Sequence, residues 1–240
     1  MRAIFVGIEY AGKSTLIDLL DRYYRKRGIR PHIDDHFTIP DSTLTPDSRA
    51  AALHFPDDVK ERSQRMQIHY HIDIIRNLEH VLMAGWHIEE AVYAAMYGNE
   101  PDSPYYSGYM YNIQRHYEAR VLESHLPNLI LIHMTASDEA IRHRMQTTPH
   151  EYQIIRESDI PELKNRFSEE VEKSLLAIGP TPIVLDTTDK TPQQSLDELL
   201  TLSEPTISTA ELALRTVPVP DGECEVHYED GVRKLKVKGE

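Results

Sequence analysis

The 240-residue chain predicts an α/β fold, with a central parallel sheet covered by helices on both faces and a C-terminal β-hairpin extension. Three observations carry this reading. Short apolar runs bounded by turn residues alternate with stretches whose apolar positions recur at three and four. Between the first such run (Ala3, Ile4, Phe5, Val6) and the first helical stretch (Leu16, Ile17, Leu19, Leu20) lies Gly7-Ile8-Glu9-Tyr10-Ala11-Gly12-Lys13-Ser14-Thr15. Beyond Glu204 the pattern changes to prolines, then to two alternating runs around Asp230-Gly231, a hairpin signal.

The nine-residue segment fills G-x-x-x-x-G-K-[S/T], the phosphate-binding P-loop, in the strand-to-helix setting such a loop requires. Gly7 and Gly12 let the backbone turn tightly and approach an anion. Successive N–H groups then point inward, and the helix that begins here adds its positive end. The ammonium of Lys13 suits β- and γ-phosphates; the hydroxyl of Ser14, with Thr15 behind it, suits Mg²⁺. The expected fold is therefore a three-layer P-loop NTPase fold.

The remaining elements follow in order. Arg25-Lys26-Arg27-Gly28 closes the first helix with a basic turn and a glycine stop. Ile29 to Phe37 reads as the second strand, with Asp34 and Asp35 near its end. Residues 40 to 58, rich in Pro, Asp, Ser and Thr, read as a loop. A long helix is expected from Val59 to Met83 on the apolar stripe Ile68, Ile72, Ile75, Leu78 and Leu82. Gly85 ends it, and Trp86-His87-Ile88 reads as a short third strand followed by Glu89 and Glu90. A second loop from Gly98 to Gly108 and a helix from Tyr109 to His125 come next. Leu129 to Met134 is a continuous apolar run, the signature of a strand buried on both faces. Ser137 or Asp138 caps a helix bearing Arg142 and Arg144, and a polar stretch leads to a helix from Pro161. Pro182 to Asp186 and Pro192 to Leu202 supply the last core strand and helix. The domain division is then residues 1–203 for the P-loop domain, with a lid around 142–160, and 204–240 for a linker and the hairpin.

Composition narrows the function. With 39 acidic against 26 basic residues the net charge is −13, which excludes a broad nucleic-acid surface. No apolar run approaches the roughly 20 residues a membrane span requires. The chain enters a strand at once, leaving no room for a signal peptide, and Cys224 is its only cysteine; a cytoplasmic location is expected. His69 and His71 stand two apart in a helical stretch, so they face apart and do not form a metal pair.

The order of elements over Met1 to Leu202 resembles the thymidylate kinase and deoxynucleoside kinase branch of P-loop phosphotransferases. The P-loop is similar to theirs. Glu89-Glu90-Ala91-Val92-Tyr93 resembles the Glu-Arg-Ser-x-Tyr segment of deoxynucleoside kinases and the Asp-Arg-Tyr segment of thymidylate kinases. Leu129 to Met145 resembles their strand and arginine-bearing lid helix, and Asp186-Thr187-Thr188 the stretch whose backbone flanks adenine. The resemblance implies ATP and Mg²⁺ as cofactors and a small-molecule acceptor as partner. Lys13, Asp35 (or Asp34, since neighbours on a strand face opposite ways) and Arg144 would carry the chemistry, the aspartate taking the acceptor's proton. Gly7, Glu9, Tyr10, Ala11, Gly12, Lys13, Ser14, Thr15, Arg142, Asp186 and Thr187 would bind the nucleotide, Ser14 and Glu89 would serve the metal, and Arg156 would join the lid. A homodimer through the long helices is also implied.

One departure stands out. Where both families carry an arginine beside the third-strand carboxylate, this chain has Glu90, which disfavours a phosphorylated acceptor and suits a neutral hydroxyl. Tyr105, Tyr106, Tyr109 and Tyr111 fit either an acceptor pocket or an aromatic packing cluster. The expected function is an ATP- and Mg²⁺-dependent small-molecule kinase acting on a nucleoside, nucleotide or similar hydroxyl. The alternative is a nucleotide-binding regulator or scaffold with a degenerate site. A GTPase or motor reading lacks an Asn-Lys-x-Asp signature.

Overall fold

The strand that precedes the P-loop, β1 (Arg2–Val6), lies in the middle of a five-stranded, all-parallel sheet. The computed structural model describes residues 1–35, 45–98, 123–126, 128–150, 154–177, 181–217, 224–229 and 232–237; the side chains of Asp34, Asp35, Arg49, Leu53, Gln64 and Ile68 and those of the last two strands are outside the description. The sheet order is β2-β3-β1-β4-β5, with β2 at His32–Asp35, β3 at Val81–Ala84, β4 at Ile130–Thr135 and β5 at Ile183–Asp186. β1 pairs with β3 on one side (Ile4 opposite Met83) and with β4 on the other (Ile4 opposite Leu131). The chain leaves β1 toward β2 and returns to β4 on the opposite flank, so the crevice at β1's carboxyl end is where such a sheet binds ligands.

The helices are α1 (Lys13–Arg25), α2 (Pro46–Leu53), α3 (Asp57–Asn77), α4 (His87–Tyr97), α5 (Asp138–Thr147), α6 (Ile160–Lys173), α7 (Pro192–Ser203) and α8 (Thr209–Thr216). Their starts are legible as caps. Ser137 accepts the amide of Ala140 at α5, and Thr191 forms a capping box with Gln194 ahead of Pro192 at α7. α1 buries Leu16, Ile17, Leu20 and Tyr24, the spacing of one helical face. Phe5, Trp86, Tyr24, Tyr93 and Phe167 are fully buried, and each aromatic removed from water contributes about 2 kcal/mol.

Four expectations are corrected. The third strand is Val81–Ala84, not Trp86–Ile88, and the long helix stops at Asn77, where Leu78 turns extended. A four-residue run buried on both faces satisfies a helical stripe as readily as a strand, so periodicity alone carries the helix across it. Gly85 (φ 82°) and Trp86 (φ 76°) make the turn, and His87 opens α4, which puts Glu89 and Glu90 in a first helical turn. The loop read over 40–58 contains α2, whose Thr45 cap and Pro46 start are the helix signals. The stretch from Glu204 read as linker contains α8, and its Glu211 is buried against the body of the sheet: the carboxylate pairs with the Met1 amine (2.6 Å) and accepts the Tyr24 hydroxyl. Farther on, β6 (Cys224–Glu229) and β7 (Val232–Val237) pair antiparallel, Val226 opposite Leu235. The helix read over Tyr109–His125 and the loop over Gly98–Gly108 fall almost wholly outside the described residues.

α4 is pinned at its start by a buried imidazole–carboxylate contact. His87 Nε2 lies 2.7 Å from Glu123 Oε1, and Glu123 also accepts the Ser174 hydroxyl (2.9 Å) and the Leu175 amide (2.7 Å). Burial alone would raise the Glu123 carboxyl's pKa; the bond and charge of His87, with the Leu175 and Ser174 donors, outweigh it and hold it below the usual carboxylate range. A depressed folded pKa stabilises the native state above the unfolded value, and that stabilisation is lost as pH falls through the folded one. Glu123→Gln is expected to lower stability by about 3 kcal/mol in urea melts, and the deficit should shrink under acid conditions. An unchanged midpoint at neutral pH would contradict this.

Candidate functional site

The P-loop closes as its glycines require. Gly7 has φ 145°, and a Cβ there would stand 2.1 Å from the Met134 carbonyl oxygen, because the backbone of β4 passes directly beneath. Gly12, at φ 92°, caps α1 in a left-handed conformation. Lys13 is only 8% exposed: its ammonium donates to the carbonyls of Gly7 (2.7 Å) and Ile8 (3.3 Å) and lies 3.0 Å from Glu89 Oε1. Glu89, 7% exposed, comes from the first turn of α4, the element held by His87 and Glu123. α4 touches the loop a second time, because the Glu9 amide donates to Tyr93 Oη at 2.9 Å.

Above the loop opens a cavity of about 360 Å³, of the size that takes a small organic ligand. Its floor is Gly12, Lys13, Ser14 and Thr15; its sides include Arg144, His150, Thr187 and Lys190. Arg144 is locked in place by donating to the Tyr10 carbonyl (2.9 Å), to Thr187 Oγ1 (3.0 Å) and to the Thr187 carbonyl (2.7 Å). Thr187 in turn lies within 3.0 Å of the Ala11 carbonyl, so P-loop, α5 and the loop after β5 form one wall. Burial lowers the Arg144 pKa, opposed by the charge of Asp186.

The other expected residues divide. Gly7, Glu9, Tyr10, Ala11, Gly12, Lys13, Ser14, Thr15, Arg144 and Thr187 belong to this one wall and floor. Arg142 instead faces its own helix, 3.8 Å from Asp138 and 3.9 Å from Glu139. Asp186 accepts from the amide and hydroxyl of Thr188. Arg156 pairs with Asp159 (3.0 Å) and stands over the Tyr97 ring. Asp35 ends β2 opposite Ala84, at the carboxyl edge of the sheet, but its side chain and that of Asp34 lie outside the described residues, as do 36–44 and the tyrosines of 99–122. Glu90, beside Glu89, is completely buried.

Sequence reasoning missed His150. Its ring stacks on Tyr10 (centroids 4.1 Å apart, planes 20° apart), and its Nδ1 lies 3.1 Å from Glu9 Oε2. Nothing local marks a histidine shortly after α5 as a cavity residue. Burial alone would raise the Glu9 pKa, but Lys13 and the bond to His150 hold it low.

Among the described residues no cluster of three or more His, Cys, Asp or Glu could hold a metal ion. Ser14 lines the cavity and the Glu89 carboxylate stands 3.0 Å from Lys13; a hydroxyl and a carboxylate are the kinds of oxygen group that hold Mg²⁺ together with substrate phosphates. No described helix is long and apolar enough to cross a membrane.

No family model matches the sequence, and no curated protein does. Solved structures do match in fold. The YorR protein of Bacillus subtilis, in complex with phosphorylated GDP, aligns with 85% of this chain and 96% of its own (TM-score 0.57, 16% identity). Thymidylate kinase from Candida albicans aligns with 85% of this chain and 90% of its own (TM-score 0.56, 18% identity). Deoxyadenosine kinase from M. mycoides with bound dATP aligns with 84% and 98% (TM-score 0.53, 13% identity). The architecture is that of the P-loop nucleoside and nucleotide kinases.

Proposed function

We propose that this chain is an ATP- and Mg²⁺-dependent small-molecule kinase that transfers the γ-phosphoryl group to a hydroxyl of a nucleoside, nucleotide or similar acceptor. The observation that carries the reading is the buried Lys13, held between the P-loop carbonyls and Glu89 at the crevice of a nucleoside-kinase sheet. In such a reaction the acceptor oxygen forms a bond to the γ-phosphorus while the bond to the β-phosphate oxygen breaks and ADP leaves. Positioning and charge neutralisation do most of the work. The loop amides and Lys13 hold the donor phosphates. The Arg144–Thr187 wall walls in the rest of the nucleotide. Ser14 and Glu89 would hold the Mg²⁺, which supplies charge neutralisation on the phosphates. Asp35, at the carboxyl end of β2, is assigned the acceptor's proton. A buried Glu90 adds no cation for a phosphorylated acceptor, which favours a neutral hydroxyl compound.

The test is a panel of nucleosides, nucleotides and sugars incubated with MgATP and read by mass spectrometry. A product heavier by one phosphoryl group, formed only with Mg²⁺ and with an intact Lys13, supports the proposal. Tight MgATP binding without product from any acceptor would replace it with a regulatory nucleotide-binding role.

A further inference from the structure

The sequence assigned the lid's positive charge to arginines; the structure turns Arg142 and Arg156 toward acids and keeps Arg144 on the cavity wall with donors engaged there. Arg142 pairs with acids on its own helix, Arg156 faces Asp159 and Tyr97, and Arg144 is committed to the Tyr10 carbonyl and Thr187. Among the described lid residues, the remaining cation-forming group on the cavity is His150.

His150 is held there by the P-loop itself. Tyr10 sits at φ 65°, a left-handed conformation that side-chain-bearing residues rarely adopt and that is found where structure over-determines it. In that conformation Tyr10 receives residue 150 twice: its ring stacks on the imidazole, and its hydroxyl accepts the His150 amide at 3.1 Å. Glu9 then takes the Nδ1 side of the imidazole at 3.1 Å. The charged groups around the ring are Glu9 directly, Lys13 through Glu9, and Arg144 through the Tyr10 carbonyl; residues 151–153 are outside the description.

We infer that His150 is a catalytic residue of the donor site, an imidazolium that the Glu9–Tyr10 clasp presents to the γ-phosphate. The inference rests on the kinase reading and adds to it a residue and a protonation state. The chemistry follows from the ring. A neutral imidazole carries one N–H, and if that proton is on Nδ1 facing the Glu9 carboxylate, Nε2 is an acceptor and repels a phosphate oxygen. Only the imidazolium donates to Glu9 and to phosphate at once. His150 breaks no bond and transfers no proton; it contributes one charge-assisted hydrogen bond.

The experiment measures binding of MgATP and of MgADP by calorimetry at about pH 6 and about pH 8.5, on either side of the range in which histidines titrate. It compares wild type with His150→Phe, which keeps a ring on Tyr10 without a charge, and with His150→Arg, which keeps a charge at both pH values. The expected result is a loss in His150→Phe of roughly 10- to 100-fold in MgATP affinity at the lower pH, with much less effect on MgADP. Wild type should approach His150→Phe at the higher pH, and His150→Arg should bind MgATP alike at both. The comparison with His150→Phe cancels the nucleotide's own titration. A His150→Phe protein that matches wild type at both pH values, in a chain that binds MgATP, would overturn the assignment and leave the kinase reading intact. A wild type that shows no heat with MgATP would remove both.

Discussion

Lys13→Ala is expected to lower phosphoryl transfer by at least about a thousandfold, the scale on which electrostatic groups aimed at a transferring phosphoryl act. Lys13 sits at the point where β1, the P-loop and α4 meet, with Gly7 and Ile8 carbonyls on one side and Glu89 on the other. Its removal deletes the charge that the proposed donor site turns toward the phosphates. It also leaves a buried carboxylate without that cation, so Lys13→Ala should lower the melting temperature as well. The two losses separate in a double variant. Lys13→Met with Glu89→Gln removes both charges, and should recover stability relative to Lys13→Met alone while remaining inactive. Near-wild-type transfer by Lys13→Ala would contradict the donor site described above.

Gly7→Ala should be nearly as damaging by a different route. The added methyl would meet the Met134 carbonyl oxygen at 2.1 Å, and that oxygen belongs to the backbone of β4, paired with β1. No side-chain rotation relieves such a clash; the loop or the strand must move. With the cost of φ 145° for a residue bearing a Cβ, the loss should reach about 3 kcal/mol or more. Urea melts read the stability, and MgATP titration reads whether the displaced loop still binds. An unchanged midpoint with unchanged affinity would show that the close approach of β4 to the loop is not a constraint. Gly12→Ala is a useful contrast, because a Cβ there meets only the end of the Met134 side chain at 4.0 Å, leaving backbone conformation as the penalty.

The geometry of the loop between β1 and α1 was legible in the sequence because it is local. One unbroken segment from Gly7 to Thr15 holds the loop, the lysine and the start of α1, and its meaning depends on spacing alone. β4 was equally plain, since Ile130 to Met134 are buried on both faces and the run is bounded by turn residues. β3 was not: Val81–Ala84 follows a helix whose apolar stripe continues through it, and periodicity carries no marker for the break at Leu78. The consequence reached the site, because Glu89 arrives from a helix N-terminus instead of a strand end. Long-range contacts were the least legible. That Arg144 would spend its donors on Tyr10 and Thr187, that Tyr93 would take the Glu9 amide, and that His150 would stack on Tyr10 all depend on separations of 43 to 140 residues. α8 was hidden by the prolines around it, and Glu211, an acid that meets the Met1 amine, shows one reason the segment packs.

The central claim is that the turn between β1 and α1 binds a polyphosphate. Calorimetric titration of the full chain with MgATP tests it most directly. The account predicts saturable heat at a single site, abolished by Lys13→Ala in a protein that is still folded. No heat from the wild type at millimolar nucleotide, or the same isotherm from Lys13→Ala, would contradict it.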